Sequence, residues 1–230
     1  MIGTTVFEGD RLLVVDKPSG PTSEATAAAL CRRLVHRIDR LTSGLLLLAD
    51  DARTVTRLQR ALQRGQVERS YRFVAHGRLA PQRLHSLLVR DRGDGLRGSG
   101  TGGKAASCEI LDCIVSDDGL TTTGTARLIT GRTHQLRIQL AEAGHPLVGE
   151  PVYVRDALAR GLELIPAARL MLHAARLRFS HPNTHLELDL NATLPADFVS
   201  WEAALVDPEE RRELLDQGPA RLGRRGKTRS

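Results

Sequence analysis

The chain has 230 residues, which is long enough for one large domain with a substantial buried core. Hydrophobic residues make up 41% of it and charged residues 26%, and this balance excludes an intrinsically disordered chain. The formal charge of +6 is uneven, because the five basic residues after Gly218 leave only about +1 on residues 1–217. A basic binding surface on the body therefore requires a local cluster. The densest cluster holds Arg32, Arg33, His36, Arg37 and Arg40, although such a run can also be a solvated helix face.

The first part of the chain alternates strand and helix signals. It predicts strands at 4–7, 12–16, 45–49 and 67–77, and helices from about 22 to 34 and 51 to 64. The hydroxyl of Thr22 or Ser23 can cap the first helix, and the carboxylate of Asp50 or Asp51 can cap the second. Gly65 is placed to end the second helix. Residues 36–44 are then expected to form a loop that leads into a buried apolar strand.

The second part is dominated by hairpin signals. It predicts strands at 104–115, 121–130, 170–179 and 186–190, with helices from Thr133 to about Ala143, from Pro195 to about Leu205, and over 207–217. The six glycines within 91–103 predict a mobile or turn-rich loop. Antiparallel hairpins with a few helices favour an α+β fold, built on a mostly antiparallel or mixed central sheet flanked by helices.

The cysteines and the apolar runs limit the setting of the protein. Cys31, Cys108 and Cys113 are an odd number with no Cys-x-x-Cys pair, which argues against a disulfide framework and a four-cysteine zinc site. The longest apolar run, Leu45–Ala49, is too short to cross a bilayer, and the N-terminus lacks the pattern of a signal peptide. We therefore expect a cytoplasmic protein without membrane attachment, and a monomer.

One acidic residue stands between two arginines in the loop at 36–44, which reads HRIDRLTSG. An arginine beside a carboxylate favours its ionised form, and the ionised form of Asp39 would be the nucleophilic one. The alternative is a structural carboxylate that pins the loop through Arg37, Arg40 and nearby backbone groups. Composition alone favours that alternative.

A second polar segment, GRTHQLRIQL at 131–140, carries Thr133 and Arg137 one helical turn apart. Residues separated by four positions share a helix face, so both side chains, with His134, can point into one cleft. An ordinary capped helix with an exposed arginine fits the same pattern equally well.

Residues 36–44 closely resemble the catalytic signature of the RluA-like pseudouridine synthases. Five further segments resemble motifs of that family and follow in its order: KPSG at 17–20, VERSY at 67–71, GRTHQLRI at 131–138, GHPLVG at 144–149, and LHA at 172–174 before a strand that ends in HP at 181–182. The resemblance implies the pseudouridine synthase catalytic fold for residues 1–206. Residues 207–217 are then a short C-terminal helix, and 218–230 a basic, disordered tail.

Carried over by position, the resemblance implies roles for individual residues. Asp39 becomes the catalytic nucleophile, Arg137 the cation paired with it, and Tyr71 the aromatic residue that stacks on the target base and can accept a proton. Arg37 is similar to the residue that helps to displace the target uridine from its stack. The remaining RNA-binding candidates, which would shape the loop or hold phosphates, are His36, Arg40, Thr42, Lys104, Arg132 and His134.

The implied reaction is the isomerisation of uridine to pseudouridine in ribosomal or transfer RNA, with no metal and no other cofactor. A base inside a stack cannot reach a carboxylate, so the target has to be flipped out. The chain departs from the family in a short segment at 21–35, and in Gln139, Glu150 and Val154. We expect these changes to affect packing or RNA contacts. The alternatives are an RNA-binding or RNA-folding factor with a vestigial active site and, last, a carboxylate hydrolase.

Overall fold

The computed structural model describes residues 2–203, which form eleven strands and five helices. The strands are β1 (Thr4–Gly9), β2 (Leu12–Lys17), β3 (Arg33–Leu34), β4 (Ser43–Ala49), β5 (Val67–His76), β6 (Gln82–Val89), β7 (Gly98–Ser99), β8 (Lys104–Val115), β9 (Thr121–Leu128), β10 (Leu172–Ser180) and β11 (Glu187–Asn191). The helices are α1 (Ser23–Ala29), α2 (Ala52–Gln63), α3 (Gln135–Glu142), α4 (Arg155–Ala159) and α5 (Ala196–Ala203).

All the strands belong to one mixed sheet, which confirms the predicted α+β fold. The main path runs β1-β2-β4-β10-β5-β9-β8-β6-β7, with β3 paired to β4 and β11 to β10. Every pairing is antiparallel except that of β4 with β10, where His173 lies opposite Ser43. Gly44 makes this junction possible: its φ is +107°, and a Cβ atom there would lie 2.3 Å from the carbonyl oxygen of Ala174.

The hydrophobic core has two main parts, each closed by helices. In the first part, α1 and α3 contribute Ala27, Leu136 and Leu140, which pack with strand residues such as Leu46 and Phe73. In the second part, Leu58 of α2 packs with residues of β2, β4, β10 and β11. Ile38 of the loop before β4 belongs to the same cluster as Leu136 of α3, so this loop lies near the start of that helix.

Several elements follow the local signals. Asp51 caps α2, because its Oδ1 accepts from the amide of Thr54 at 2.9 Å, and Gly65 closes that helix with a φ of +71°. Thr22 caps α1 through the amide of Ala25 at 3.1 Å. The strands predicted at 104–115 and 121–130 form a hairpin, β8 and β9, which turns at residues 116–119.

Helix α1 is shorter than predicted, ending at Ala29 instead of about Leu34. Cys31 has a φ of +53°, and the amide of Arg32 donates to the carbonyl of Ala27 at 2.9 Å, which closes the helix. Leu34 then pairs with Leu48 in the sheet. Pairing with a strand distant in the sequence therefore outweighs the helix propensity of this segment.

The second half differs from expectation at three points. Strand β6 and helix α4 were not predicted, and the helix expected from Thr133 begins at Gln135. The residue before α3 is His134, with a φ of +57° and no side-chain cap, so Thr133 does not cap the helix. The loop at 91–103 is turn-rich: the Asp91 carboxylate accepts from the amides of Gly93 and Gly95, and β7 lies within the loop.

Only part of the predicted C-terminal region lies within the described residues. Helix α5 matches the described part of the helix expected to begin at Pro195. The helix expected at 207–217 and the basic tail expected at 218–230 lie outside the described residues. Among residues 2–203, no helix is long and apolar enough to cross a membrane.

Candidate active site

A cleft of about 550 Å³ opens where the loop before β4, strand β5 and the start of α3 meet. Its lining includes Asp39, Tyr71 and Arg137, three residues that are far apart in the sequence. The other predicted site residues in the lining are His36, Arg37, Thr42, Arg132 and His134. Arg40 and Lys104 are not part of the lining.

The loop that carries Asp39 is held by its own backbone and by the first residue of α1. The hydroxyl of Ser23 donates to the carbonyl of Ile38 at 2.8 Å and accepts from the amide of Ile38 at 3.1 Å. The amide of Thr42 donates to the carbonyl of Asp39 at 3.0 Å. These bonds fix the backbone on both sides of Asp39, so its carboxylate projects from a rigid loop.

Lys17 anchors the same loop from below. It is fully buried, and its ammonium donates to the carbonyls of Pro18 at 2.8 Å, Pro21 at 3.0 Å and Arg40 at 3.4 Å. Burial lowers the pKa of Lys17 to about 8, an effect that the carboxylate of Asp39 opposes. The KPSG motif therefore supplies a cation that ties the end of β2 to the Asp39 loop.

The cation nearest to Asp39 is Arg137 from α3. Its Nη1 lies 3.7 Å from Oδ2 of Asp39, and its side chain is 4% exposed. Arg137 is held by a second carboxylate, since its Nε and Nη2 donate to Glu150 at 2.8 and 2.7 Å. Although burial opposes its charge, Glu150 and Asp39 raise the pKa of Arg137. The guanidinium is thus fixed and ionised before any ligand enters the cleft.

His134 flanks the other oxygen of Asp39. Its Nε2 lies 3.9 Å from Oδ1 of Asp39, and its Nδ1 is 2.7 Å from the hydroxyl of Tyr153. Burial lowers the pKa of His134, with Asp39 acting in the opposite direction. Tyr153 also lies under Arg137, whose guanidinium carbon is 5.2 Å from the ring centroid.

The arginines adjacent to Asp39 in the sequence do not pair with it, contrary to the expectation from the HRIDR run. Arg37 is exposed and forms an ion pair with Glu24 at 2.9 Å. Arg40 is exposed and donates from Nε to the carbonyl of Gly20 at 3.1 Å. Because neighbours in an extended loop point in different directions, the compensating charge comes from a distant segment.

Tyr71 lies on β5 with its side chain at the cleft, and the residue is 7% exposed. Burial raises the pKa of Tyr71 to about 12. The phenol is therefore protonated at neutral pH. This favours the predicted stacking role over the role of proton acceptor.

The remaining candidates differ in their surroundings. Thr42 is buried, whereas Arg132 is exposed and donates to the carbonyl of Ala105 at 3.0 Å. His36 is partly buried, and its Nε2 accepts from the amide of Leu47 at 3.1 Å. Burial lowers the pKa of His36 to about 4, with Arg69 adding to the shift, so the imidazole is neutral. Lys104 is exposed at the start of β8.

Sequence reasoning gave no catalytic or binding role to four residues that lie in or beside the cleft, which are Lys17, Arg69, Glu150 and Tyr153. A sequence signal existed for three of them. Lys17 opens the KPSG motif, and Glu150 directly follows the GHPLVG segment. Arg69 stands two positions before Tyr71 within VERSY, where alternation along a strand places both side chains on one face.

The mixed-sheet fold and the carboxylate–arginine cleft define the class: a catalytic domain of the pseudouridine synthase type. A family model described as RNA pseudouridylate synthase matches residues 31–142. A ribosomal large subunit pseudouridine synthase D of Vibrio parahaemolyticus is 31% identical over 92% of this chain and 73% of the relative. The chain belongs to this family of RNA pseudouridine synthases.

Other relatives extend the comparison. Proteins of the same name from Neisseria meningitidis and Escherichia coli are each 32% identical, over 84% and 80% of this chain. The chain spans only 58% and 59% of their lengths. The solved structure of human RNA pseudouridylate synthase domain containing 4 has a TM-score of 0.68 at 21% identity, covering 85% of this chain and 90% of that one. Human RNA pseudouridylate synthase domain containing 1 gives 0.64 at 21% identity over 89% and 95%, so the fold is shared.

Proposed function

We propose that this chain isomerises uridine to pseudouridine in RNA, with Asp39 as the nucleophile. The observation that carries the proposal is the carboxylate of Asp39, 3.7 Å from a buried arginine, in a cleft that also contains Tyr71. Arg137 orients the carboxylate, and a carboxylate is one of the side-chain groups that serve as nucleophiles in enzymes. The reaction breaks the bond from N1 to C1′, forms a bond from C5 to C1′, and moves one proton from C5 to N1, so no co-reactant is needed.

The target base reaches Asp39 only when it is flipped out of its stack. Unstacking costs a few kcal/mol, and stacking on an aromatic side chain returns about 1–3 kcal/mol per base. Tyr71 is the tyrosine in the cleft lining, and its ring is the surface on which we place the uracil. The predicted role of Arg37 in displacing the target uridine from its stack belongs to the same proposal. So do the predicted roles of Thr42, Arg132 and His134 in shaping the loop or holding nearby phosphates.

We further propose that the substrate is ribosomal RNA of the large subunit, in the cytoplasm. The support is the similarity to relatives that are each named a ribosomal large subunit pseudouridine synthase. Transfer RNA is the competing substrate, and mapping pseudouridines in both RNAs with and without the gene distinguishes the two.

The decisive test of the mechanism is Asp39→Asn. We expect the rate of pseudouridine formation to fall by about 10³-fold or more, because the amide is not nucleophilic. Tritium release from RNA labelled at C5 of uridine measures the rate. The matched control is Asp117→Asn, an exposed residue in the turn between β8 and β9, which should keep full activity.

Two results would contradict the proposal in different ways. Full activity of Asp39→Asn would remove the nucleophile role. If the unmodified protein changes no uridine in cellular RNA yet binds RNA with a steep salt dependence, the alternative of an RNA-binding factor with a vestigial site is correct.

A further inference from the structure

Arg69 is a buried arginine in the cleft lining with no partner of its own. The residue is 8% exposed, and its Nε is fully buried without a hydrogen-bond acceptor. Among residues 2–203, the carboxylate of Asp39 in the same cleft faces Arg137 and His134, and it forms no ion pair with Arg69. Buried charges are almost always paired, because leaving one unpaired costs free energy. An unpaired buried guanidinium at the edge of a cleft is therefore a site prepared for an anion.

The backbone around Arg69 makes room for this charge. Gly131, at the start of the loop before α3, carries no side chain, and a Cβ atom there would lie 2.5 Å from Nη1 of Arg69. Both Gly131 and Arg69 line the cleft. The absence of a side chain at position 131 thus keeps one edge of the guanidinium uncovered.

The charges around the cleft select the type of ligand. Asp39 is the acidic residue in the lining, and Arg137 already faces it, so Arg69 adds a positive charge that nothing in the cleft balances. Guanidinium groups bind phosphate oxygens with short, charge-assisted hydrogen bonds. Arg69 and Tyr71 lie two residues apart on β5, about one nucleotide length along the strand. A phosphate on Arg69 would therefore belong to the nucleotide whose base reaches Tyr71, or to its neighbour.

We propose that Arg69 and Gly131 form a phosphate-binding subsite, which holds a phosphodiester of the substrate RNA beside the target nucleotide. This subsite rests on the proposed function for its substrate. Its role is binding and positioning, since Arg69 touches the backbone of the RNA and not the reacting atoms.

The first experiment compares two small probes, uridine 5′-monophosphate and uridine, in equilibrium titrations of the full chain followed by NMR. The unmodified protein should bind the monophosphate about tenfold more tightly or better, because hydrogen bonds between charged groups are the strong ones. Arg69→Met should lose this preference and keep its affinity for uridine. If Arg69→Met retains the preference, or weakens both probes equally, the subsite is wrong.

A second experiment uses a decamer of oligouridylate and the salt dependence of its binding. Each phosphate contact contributes about 0.7 to the slope of log K against log salt for single strands, so Arg69→Met should lower the slope by about that amount. The control is Arg160→Met at the exposed end of α4, outside the cleft, which should lower it less. An equal slope for Arg69→Met and the unmodified protein would overturn the proposal.

Two further variants separate binding from folding. Arg69→Met should leave the melting temperature equal or higher, since it removes an unpaired buried charge. If Arg69→Met does not fold, Gly131→Ala supplies the test with Arg69 still present. This variant should weaken the binding of uridine 5′-monophosphate and leave the binding of uridine unchanged. Should Gly131→Ala also leave the preference intact, the subsite is excluded.

The binding experiments do not depend on turnover. If the protein forms no pseudouridine but loses the phosphate preference in Arg69→Met, the proposed function fails and the anion site remains. If pseudouridine forms and the preference survives in Arg69→Met, only the subsite fails.

Discussion

Arg137 and Arg69 are buried arginines in the lining of the same cleft, but their surroundings differ. Arg137 forms a bidentate ion pair with Glu150, and its Nη1 lies 3.7 Å from Oδ2 of Asp39. The Nε of Arg69, by contrast, is buried without a hydrogen-bond acceptor among residues 2–203. The first region is electrostatically complete and holds the proposed nucleophile in place. Within the described part of the chain, the region around Arg69 lacks a balancing negative charge, as expected of a site that binds an anionic ligand.

The largest effect should come from breaking the ion pair of Arg137 and Glu150. Either Arg137→Leu or Glu150→Leu leaves one charge buried without its partner, and we expect the free energy of unfolding to fall by about 3–5 kcal/mol. The double variant should recover most of this stability, because it buries no charge, yet Arg137→Leu should lose most activity with or without Glu150. Urea denaturation of all four proteins gives the coupling energy.

The exposed pair of Arg176 and Asp189 on β10 and β11 is the matched control for that cycle. Its side chains are 39% and 45% exposed, so its coupling energy should be at most about 1 kcal/mol. Similar coupling energies for the two pairs would show that water reaches the ion pair of Arg137 and Glu150.

Lys17 is a third buried cation, and its ammonium is hydrogen-bonded to backbone carbonyls instead of to a carboxylate. Its pKa is about 8 when folded and near 10.5 when unfolded, so between these values the unfolded chain binds more protons. Stability should therefore rise with pH across this window, by about 2–3 kcal/mol relative to Lys17→Met, which has no such proton. Urea denaturation at pH 7 to 10.5 measures the difference. Parallel curves for the two proteins would show that folding does not lower the pKa of Lys17.

These cases show which parts of the molecule were predictable from the sequence. The cap at Asp51 and the turn at 116–119 depend on neighbouring residues, so local patterns were sufficient. The strand pairing of Leu34 and the cap residue His134 depend on distant segments, and there the local patterns were misleading.

The same distinction applies to the candidate site. Motif order brought Asp39, Tyr71 and Arg137 into consideration, and the structure places all three in one cleft. Charge balance could not be read from the motifs, since it depends on the directions of side chains. Arg37 turns to Glu24, although it stands two positions from Asp39, while Glu150 holds Arg137 across thirteen positions.

Variants of Tyr71 test the uncharged cleft residue that lies on β5 beside Arg69. Tyr71→Phe keeps the ring and should bind RNA as tightly as the unmodified protein, whereas Tyr71→Leu should lose about 1–3 kcal/mol of binding free energy. Fluorescence anisotropy with a substrate RNA measures both. A role of the hydroxyl in proton transfer would appear as a lower single-turnover rate in Tyr71→Phe alone. Equal losses of binding in the two variants would contradict stacking on the ring.

The smallest expected effect links Arg69 to His36. Burial, and after it the charge of Arg69, lowers the pKa of His36 to about 4 from an ordinary 6.5. Between pH 4 and 6.5 the unfolded chain binds more protons at His36 than the folded chain does. The free energy of unfolding therefore falls as the pH is lowered from 6.5 to 4. Arg69→Met should raise the pKa of His36, but not to 6.5, because burial is the larger cause. The acid-induced loss of stability should shrink accordingly.

NMR titration of the imidazole resonances measures this shift, and His173 supplies the internal control. The pKa of His173 is also lowered to about 4 by burial, but its charged neighbours are Arg169 and Asp197, so Arg69→Met should leave this pKa unchanged. If His36 and His173 shift together, the variant has loosened the whole fold. If neither shifts, the charge of Arg69 does not reach His36, and the two residues are electrostatically independent.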